Sequence, residues 1–321
     1  MSENQKVVIV VGAGRSGTST ITRGLSALGI ELGNNLKPGS AKNPKGFFED
    51  LDILKINRDI STFFGLTTTG SDVRPVDQSQ FHHKKAKEIQ KSATEILKAK
   101  FSGQAIWGFK SGGVLRLLPF WENVLTNIPA EPIYVVALRN PSSVAMSRKN
   151  LNPLRGVQEK SDLEWLARMV PFFFMLKNRK KVVVDYDTLL SNPARQLERM
   201  ATVIGIEITD QIRSGIQDYS ENFVEPSLRH HTSSNFNEEL INPITLRAYK
   251  TLSQIALDKI SFEDNEFWDD SWKKIENDFQ NLSPVLKHID LLEHKLRAKN
   301  FGFDNAVSII LSRIKSKLKI I

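Results

Sequence analysis

The chain has 321 residues, 40% of them hydrophobic and 25% charged, which are the proportions of an ordinary globular protein and argue against disorder. Lysine and arginine number 44 against 36 acids, a net charge of +8. Such a balance favours anionic partners without choosing among nucleotides, acidic glycans, nucleic acid and anionic membranes. With no cysteine in the sequence, disulfides, thiolate metal sites and cysteine nucleophiles are excluded.

In chain order, polar Met1 to Lys6 leads into Val7 to Val11, a continuous β-branched run. The run is too short for a signal-peptide core and reads as a strand buried on both faces of a parallel sheet. Helical patterns follow at Thr18 to Leu28, Leu51 to Thr62 and Lys84 to Lys100. Ile106 to Phe109 is a weaker second strand, and Leu115 to Leu125 a helix. Ile133 to Leu138 is a third strand, Leu163 to Leu176 a helix, and Val182 to Val184 a fourth strand. Strand and helix alternating at this spacing predict an α/β fold, a three-layer P-loop type with a mostly parallel central sheet. From about Asn235 onward the strand signal stops, and helices are expected over Ile241 to Ile260 and Leu282 to Arg297. The expected division is an α/β domain over 1–234 and a helical C-terminal extension over 235–321, free-standing or packed into the same core. No stretch is long and apolar enough to span a bilayer, so a cytoplasmic protein is expected.

The first strand ends in Gly12-Ala13-Gly14-Arg15-Ser16-Gly17-Thr18-Ser19, and a helical pattern follows at once. A glycine-rich turn into a helix N-terminus binds anions, because its backbone N–H groups converge and the helix dipole adds positive charge. Glycines allow tight curvature and close approach, and Ser16, Thr18 and Ser19 add hydroxyls. The spacing is that of a nucleotide P-loop with one change: Thr18 stands at the lysine position, and the cation sits inside the loop as Arg15. Loss of that lysine weakens a kinase or NTPase reading.

Arg15-Ser16-Gly17-Thr18-Ser19 resembles the 5′-phosphosulfate loop of the sulfotransferases that use 3′-phosphoadenosine 5′-phosphosulfate (PAPS), in the bacterial, carbohydrate-type branch. The resemblance implies that Gly14 to Ser19 bind PAPS and that Arg15 also stabilises charge on the bridging oxygen. The strand Ile133 to Leu138 runs into Arg139-Asn140-Pro141, with Ser147 eight residues after Arg139. That pattern is similar to the family's 3′-phosphate signature and implies cofactor contacts from Arg139 and Ser147. Pro141 suits the first turn of a helix. Tyr186-Asp187-Thr188-Leu189 resembles a further family segment and implies that Tyr186 lies near the adenine. The same strand, ending in Asp185, also reads as a Walker B strand with a magnesium-binding acid.

Transfer to a hydroxyl needs a base. Gly46-Phe47-Phe48-Glu49 is similar to a Gly-aromatic-Phe-Glu segment of bacterial and carbohydrate sulfotransferases, which implies that Glu49 is the base. Asp50 fits a helix N-cap better. Lys45 and Phe47 beside Glu49, with Lys110 and His230, are the expected acceptor-side residues. Arg229, in the basic loop Pro226 to His231, is an expected cofactor contact. His82 and His83 read as surface residues. No His, Asp and Glu spacing suggests a metal site, and none is expected. Where bacterial relatives often carry Lys-Asp-Pro-Arg, this chain has Lys110-Ser111-Gly112-Gly113, which points to an unusual acceptor or reduced activity.

The resemblance thus implies sulfuryl transfer from PAPS, without metal, to a hydroxyl or amine, with a glycan or glycolipid precursor as acceptor. A P-loop small-molecule kinase or NTPase and a non-catalytic nucleotide-binding relative are the alternatives. Nucleic acid ranks lower, since no recognition motif is present. The last segment places Phe303, Val307, Ile310, Leu311, Ile314, Leu318 and Ile321 on one helical stripe beside basic residues. Such a stripe packs on the protein's own core or rests on an anionic membrane.

Overall fold

The computed structural model describes residues 5–39, 46–224 and 238–298. Lys45, Arg229, His230 and the apolar stripe from Phe303 to Ile321 lie outside the described residues. Four strands, β1 (Gln5–Gly12), β2 (Ile106–Lys110), β3 (Ala130–Leu138) and β4 (Lys180–Asp185), form one parallel sheet in the order β2-β1-β3-β4. The helices are α1 (Thr18–Ala27), α2 (Leu51–Phe63), α3 (Lys84–Lys100), α4 (Leu118–Thr126), α5 (Pro141–Lys149) and α6 (Gln158–Met169). They continue with α7 (Tyr186–Ser191), α8 (Pro193–Ile204), α9 (Asp210–Asp218), α10 (Pro243–Ala256) and α11 (Lys273–Asn281), and residues 283–298 are helical.

The central strands carry apolar residues on both faces because both faces are covered. Val7, Ile9 and Val11 of β1 and Tyr134, Val136 and Leu138 of β3 face one cluster, with side chains of α2, α3, α4 and α6. Val8, Val10, Ile133, Val135 and Ala137 face the other, with Ile21 and Leu25 of α1, Leu197 and Met200 of α8, and Ile216 of α9. This is the three-layer α/β arrangement that an unbroken β-branched strand calls for. Ala248, Leu252 and Ile255 of α10 join the first cluster, as do Trp272, Ile275, Phe279 and Leu286. The helices after residue 242 therefore share a core with the sheet.

One expected helix is divided. Leu163 to Leu176 does not run through: α6 ends at Met169, and a separate helical turn covers Phe173–Leu176. Pro171 lies between them, where its ring and missing N–H cannot continue the ladder.

The strand order decides where a ligand can bind. The chain leaves β1 towards β2 on one side and leaves β3 towards β4 on the other. The crevice between the C-terminal ends of β1 and β3 is therefore a topological switch point, where open α/β sheets hold ligands.

Candidate active site

Two turns meet at that crevice. The first follows β1. Gly12 has φ +149°, and a Cβ there would lie 2.7 Å from the carbonyl oxygen of Ala137 on β3, so only glycine lets the two strands approach this closely. Gly17 has φ +78°, and a Cβ there would stand 2.0 Å from Cδ2 of Tyr186. The Tyr186 ring thus lies flush against the loop's last glycine. Arg15 also adopts positive φ, 78°, a left-handed conformation that a non-glycine residue rarely holds and that clusters at functional sites.

The second turn follows β3. Asn140 caps α5, its side chain accepting from the backbone N–H groups of Ser142 and Ser143, and Pro141 begins the helix. The two turns are cross-linked. Arg15 donates from Nε to Ser147 Oγ on α5 at 3.0 Å, and Arg139 donates from Nη1 to the Arg15 carbonyl at 3.2 Å. The Arg139 guanidinium lies 4.5 Å from the Tyr186 ring centroid, a cation–π contact. Burial, and then the charge of Arg139, hold the Arg15 guanidinium below its ordinary pKa. Two guanidinium groups are thus held together with no carboxylate within 4.0 Å of either among the described residues. Ser16 Oγ and Arg139 Nε are buried there with no hydrogen-bond partner among the described residues. Orphaned donors beside two fixed cations and a helix N-terminus fit a ligand with anionic oxygens.

A third strand end completes the site. Lys110, the last residue of β2, is 4% exposed. Its Nζ donates to Ser19 Oγ at 3.0 Å and to the Phe47 carbonyl at 2.7 Å, and lies 3.3 Å from Glu49 Oε1. Ser19, on the first turn of α1, donates to the same Phe47 carbonyl. Glu49 is thereby tied to the phosphate-type loop through one buried lysine. Burial lowers the Lys110 pKa; the nearby Glu49 opposes this, and Lys37 and Arg15 add to it. Phe48, just before Glu49, has φ +51°, so the backbone is also strained here. Phe47 packs under Lys37, whose Nζ lies 4.3 Å from the ring centroid.

Two neighbouring carboxylates have structural work. Asp50 caps α2, accepting from the N–H groups of Asp52 and Ile53, and pairs with Lys100 at 2.8 Å. Asp185 caps α7, accepting from the N–H and hydroxyl of Thr188 at 2.9 Å each. Asp185 Oδ1 thus has a structural role as the α7 cap. The altered loop after Lys110 is held firmly. Asn57 of α2 donates to Ser111 Oγ at 2.8 Å and accepts from Trp121 Nε1 at 3.0 Å, and Arg168 donates to the Gly112 carbonyl at 2.6 Å.

The fold thus brings Gly14 to Ser19, Arg139, Ser147 and Tyr186 together, with Lys110, Phe47 and Glu49 alongside. Sequence reading missed Arg148, which is buried, donates to the Gly14 carbonyl at 3.4 Å and pairs with Glu164. Its signal was its place next to Ser147 on the helix after the second turn. Lys37 was missed because only the folded chain places it near Lys110.

No family model matches the chain, and no curated protein matches it. Among solved structures, the chain is similar to the sulfotransferase domain of the Synechococcus PCC 7002 olefin synthase, with 13% identity and a TM-score of 0.44 over 78% of this chain and 96% of that one. It is similar to the sulfotransferase domain of the curacin biosynthetic pathway, with 15% identity and a TM-score of 0.46 over 78% and 99%. A sulfotransferase from Mycobacterium avium is similar with 12% identity and a TM-score of 0.43 over 80% and 77%. At identities this low, the site's own residues must carry the functional reading.

Proposed function

We propose that the chain is a sulfotransferase that moves a sulfuryl group from PAPS to a hydroxyl or amine of an acceptor, with a glycan precursor as the acceptor. The observation that supports this reading best is the cross-linking of the two turns. Arg15 bonds Ser147, and Arg139 bonds the Arg15 backbone, so the glycine loop at the α1 N-terminus and the cations of both turns form one site at the switch point. A donor with an anionic group at each end of its nucleoside matches two such turns.

PAPS supplies the activated sulfuryl group. The acceptor oxygen forms a bond to sulfur as the bond from sulfur to the 5′-phosphate oxygen breaks. The electron pair goes to that phosphate, leaving adenosine 3′,5′-bisphosphate. Arg15 and the loop N–H groups face the charge that builds on the departing phosphate. Arg139 and Ser147 hold the 3′-phosphate, and Tyr186 flanks the loop on the adenine side. Glu49 takes the acceptor proton. Lys110 orients it by holding Oε1 at 3.3 Å, and Oε2 has no partner among the described residues. Thr18 at the P-loop lysine position and the capping role of Asp185 weigh against the kinase reading.

A panel of sugars and sugar phosphates incubated with PAPS tests this. Release of adenosine 3′,5′-bisphosphate with formation of a sulfated product is expected. Glu49→Gln should lower turnover by about 10²- to 10⁴-fold with bisphosphate affinity kept. Unchanged turnover in the variant would remove Glu49 from the reaction.

A further inference from the structure

One residue beyond Lys110, the loop Ser111 to Gly113 lines a cavity of about 610 Å³, together with Leu54, Asn57 and Arg58 of α2. Four cations line it, Lys37, Arg58, Arg116 and Arg168, and no aspartate or glutamate does among the described residues. The arginines are not neutralised by close partners. Arg168 donates to the carbonyls of Gly112 and Gly70, at 2.6 and 2.7 Å. Arg116 donates to the carbonyls of Asp72 and Arg74, at 2.6 and 2.7 Å, and its buried Nε has no partner. Neither has a carboxylate within 4.0 Å, and exposed Arg58 has no polar partner among the described residues.

The nearest acids are already engaged. Asp72 accepts from Thr67 and is bonded to His294, while Glu164 is held by Arg155 and Arg148. Burial lowers the Arg116 pKa to about 10 and lowers that of Arg168, as expected where positive charge is desolvated without full compensation. Concentrated positive charge in a concave site, only partly offset by Asp72, Asp290 and Glu164, is costly unless a ligand supplies the remaining counter-charge.

We infer that this cleft is the acceptor subsite and selects acceptors that carry an anionic group, a phosphate or a carboxylate, beside the hydroxyl to be sulfated. Its role as an acceptor subsite rests on the sulfuryl-transfer reading; its preference for anions rests on its own lining. Arg58 and Lys37 meet the anionic group from the open side, and Arg116 and Arg168 supply fixed positive charge from the wall. The Ser111-Gly112-Gly113 segment has no side chain beyond Ser111 to fill the space, and Arg168 fixes its path.

The test is calorimetric titration of the whole protein, first saturated with adenosine 3′,5′-bisphosphate, with glucose 6-phosphate, glucuronate and glucose in separate runs. The phosphate ester, the carboxylate or both should bind at least about tenfold more tightly than glucose, with affinity falling as salt rises. The two charged arms show which group the cleft prefers. Arg58→Glu, an exposed change outside the reaction machinery, should abolish that preference while bisphosphate binding persists. Equal binding of all three sugars, or a preference untouched by Arg58→Glu, would overturn the inference. If the bisphosphate itself fails to bind, the sulfuryl-transfer reading and the acceptor role fall together. The same sugar titrations on wild type and Arg58→Glu then still decide the anion preference.

Discussion

In the proposed reaction, the chemistry at the strand ends depends on Lys110. It holds Glu49 in place, and burial, with a smaller push from Lys37 and Arg15, holds its pKa below the ordinary lysine value of 10.5. Loss of its proton would break the link to Glu49. The alkaline limb of the pH–rate profile is therefore expected to fall below pH 10.5, and Lys110→Arg, which stays charged, should extend activity upward. Coincident alkaline limbs in the two proteins would separate Lys110 from the reaction. Much of this site is legible in the sequence, because its parts are short turns at strand ends whose glycines, hydroxyls and cations sit at fixed spacing. Arg15, Arg139 and Ser147 come from such turns and converge. Arg58, Arg116 and Arg168 have no local signature; they become a group only when α2, the turn before α4, and α6 pack around one cavity.

At the scale of elements, β1, β3 and β4 are readable from their β-branched runs, since a strand buried on both faces needs no alternation, while β2, with Ile106 as its one β-branched residue, gives a weaker signal. The helix broken at Pro171 shows the limit of periodicity, which continues through a proline that the backbone cannot follow. The docking of the last described helix, residues 283–298, was not readable, because it relies on polar contacts between distant segments. Asp290 accepts from the N–H groups of Val73 and Arg74 at 2.9 and 3.0 Å, and His294 lies 2.7 Å from Asp72. Burial pushes the Asp72 carboxyl up, but hydrogen bonds from Thr67 and His294 outweigh this and hold it at about 2, below the ordinary 3.8. A carboxyl with a depressed folded pKa adds stability above its unfolded pKa and loses it as pH falls through the folded value. Asp72 should contribute about 2 kcal/mol above pH 4 that disappears between pH 4 and about 2. Denaturant titrations across that window should show a shallower acid loss for Asp72→Asn; identical slopes would contradict the assignment.

For the whole molecule, the helices after residue 242 complete the core on one face of the sheet. Leu252, Trp272 and Phe279 are buried against the same cluster as Tyr134 and Val136 of β3. A fragment ending at residue 242 would expose that face, and it should aggregate or lack a cooperative thermal transition. A fragment that melts cooperatively at the temperature of the full chain would show that the helical region is a separate annex. The net charge of +8 also has a local expression, since cations from three strand ends and the adjoining cleft gather at one edge of the sheet. The two cross-linked turns are proposed to form one nucleotide site with an anion at each end. Calorimetric titration with adenosine 3′,5′-bisphosphate, beside ATP with magnesium, on wild type and Arg139→Ala tests it most directly. Metal-independent bisphosphate binding that Arg139→Ala abolishes is the expected result. Binding of ATP with magnesium alone, or bisphosphate binding indifferent to Arg139, would contradict it.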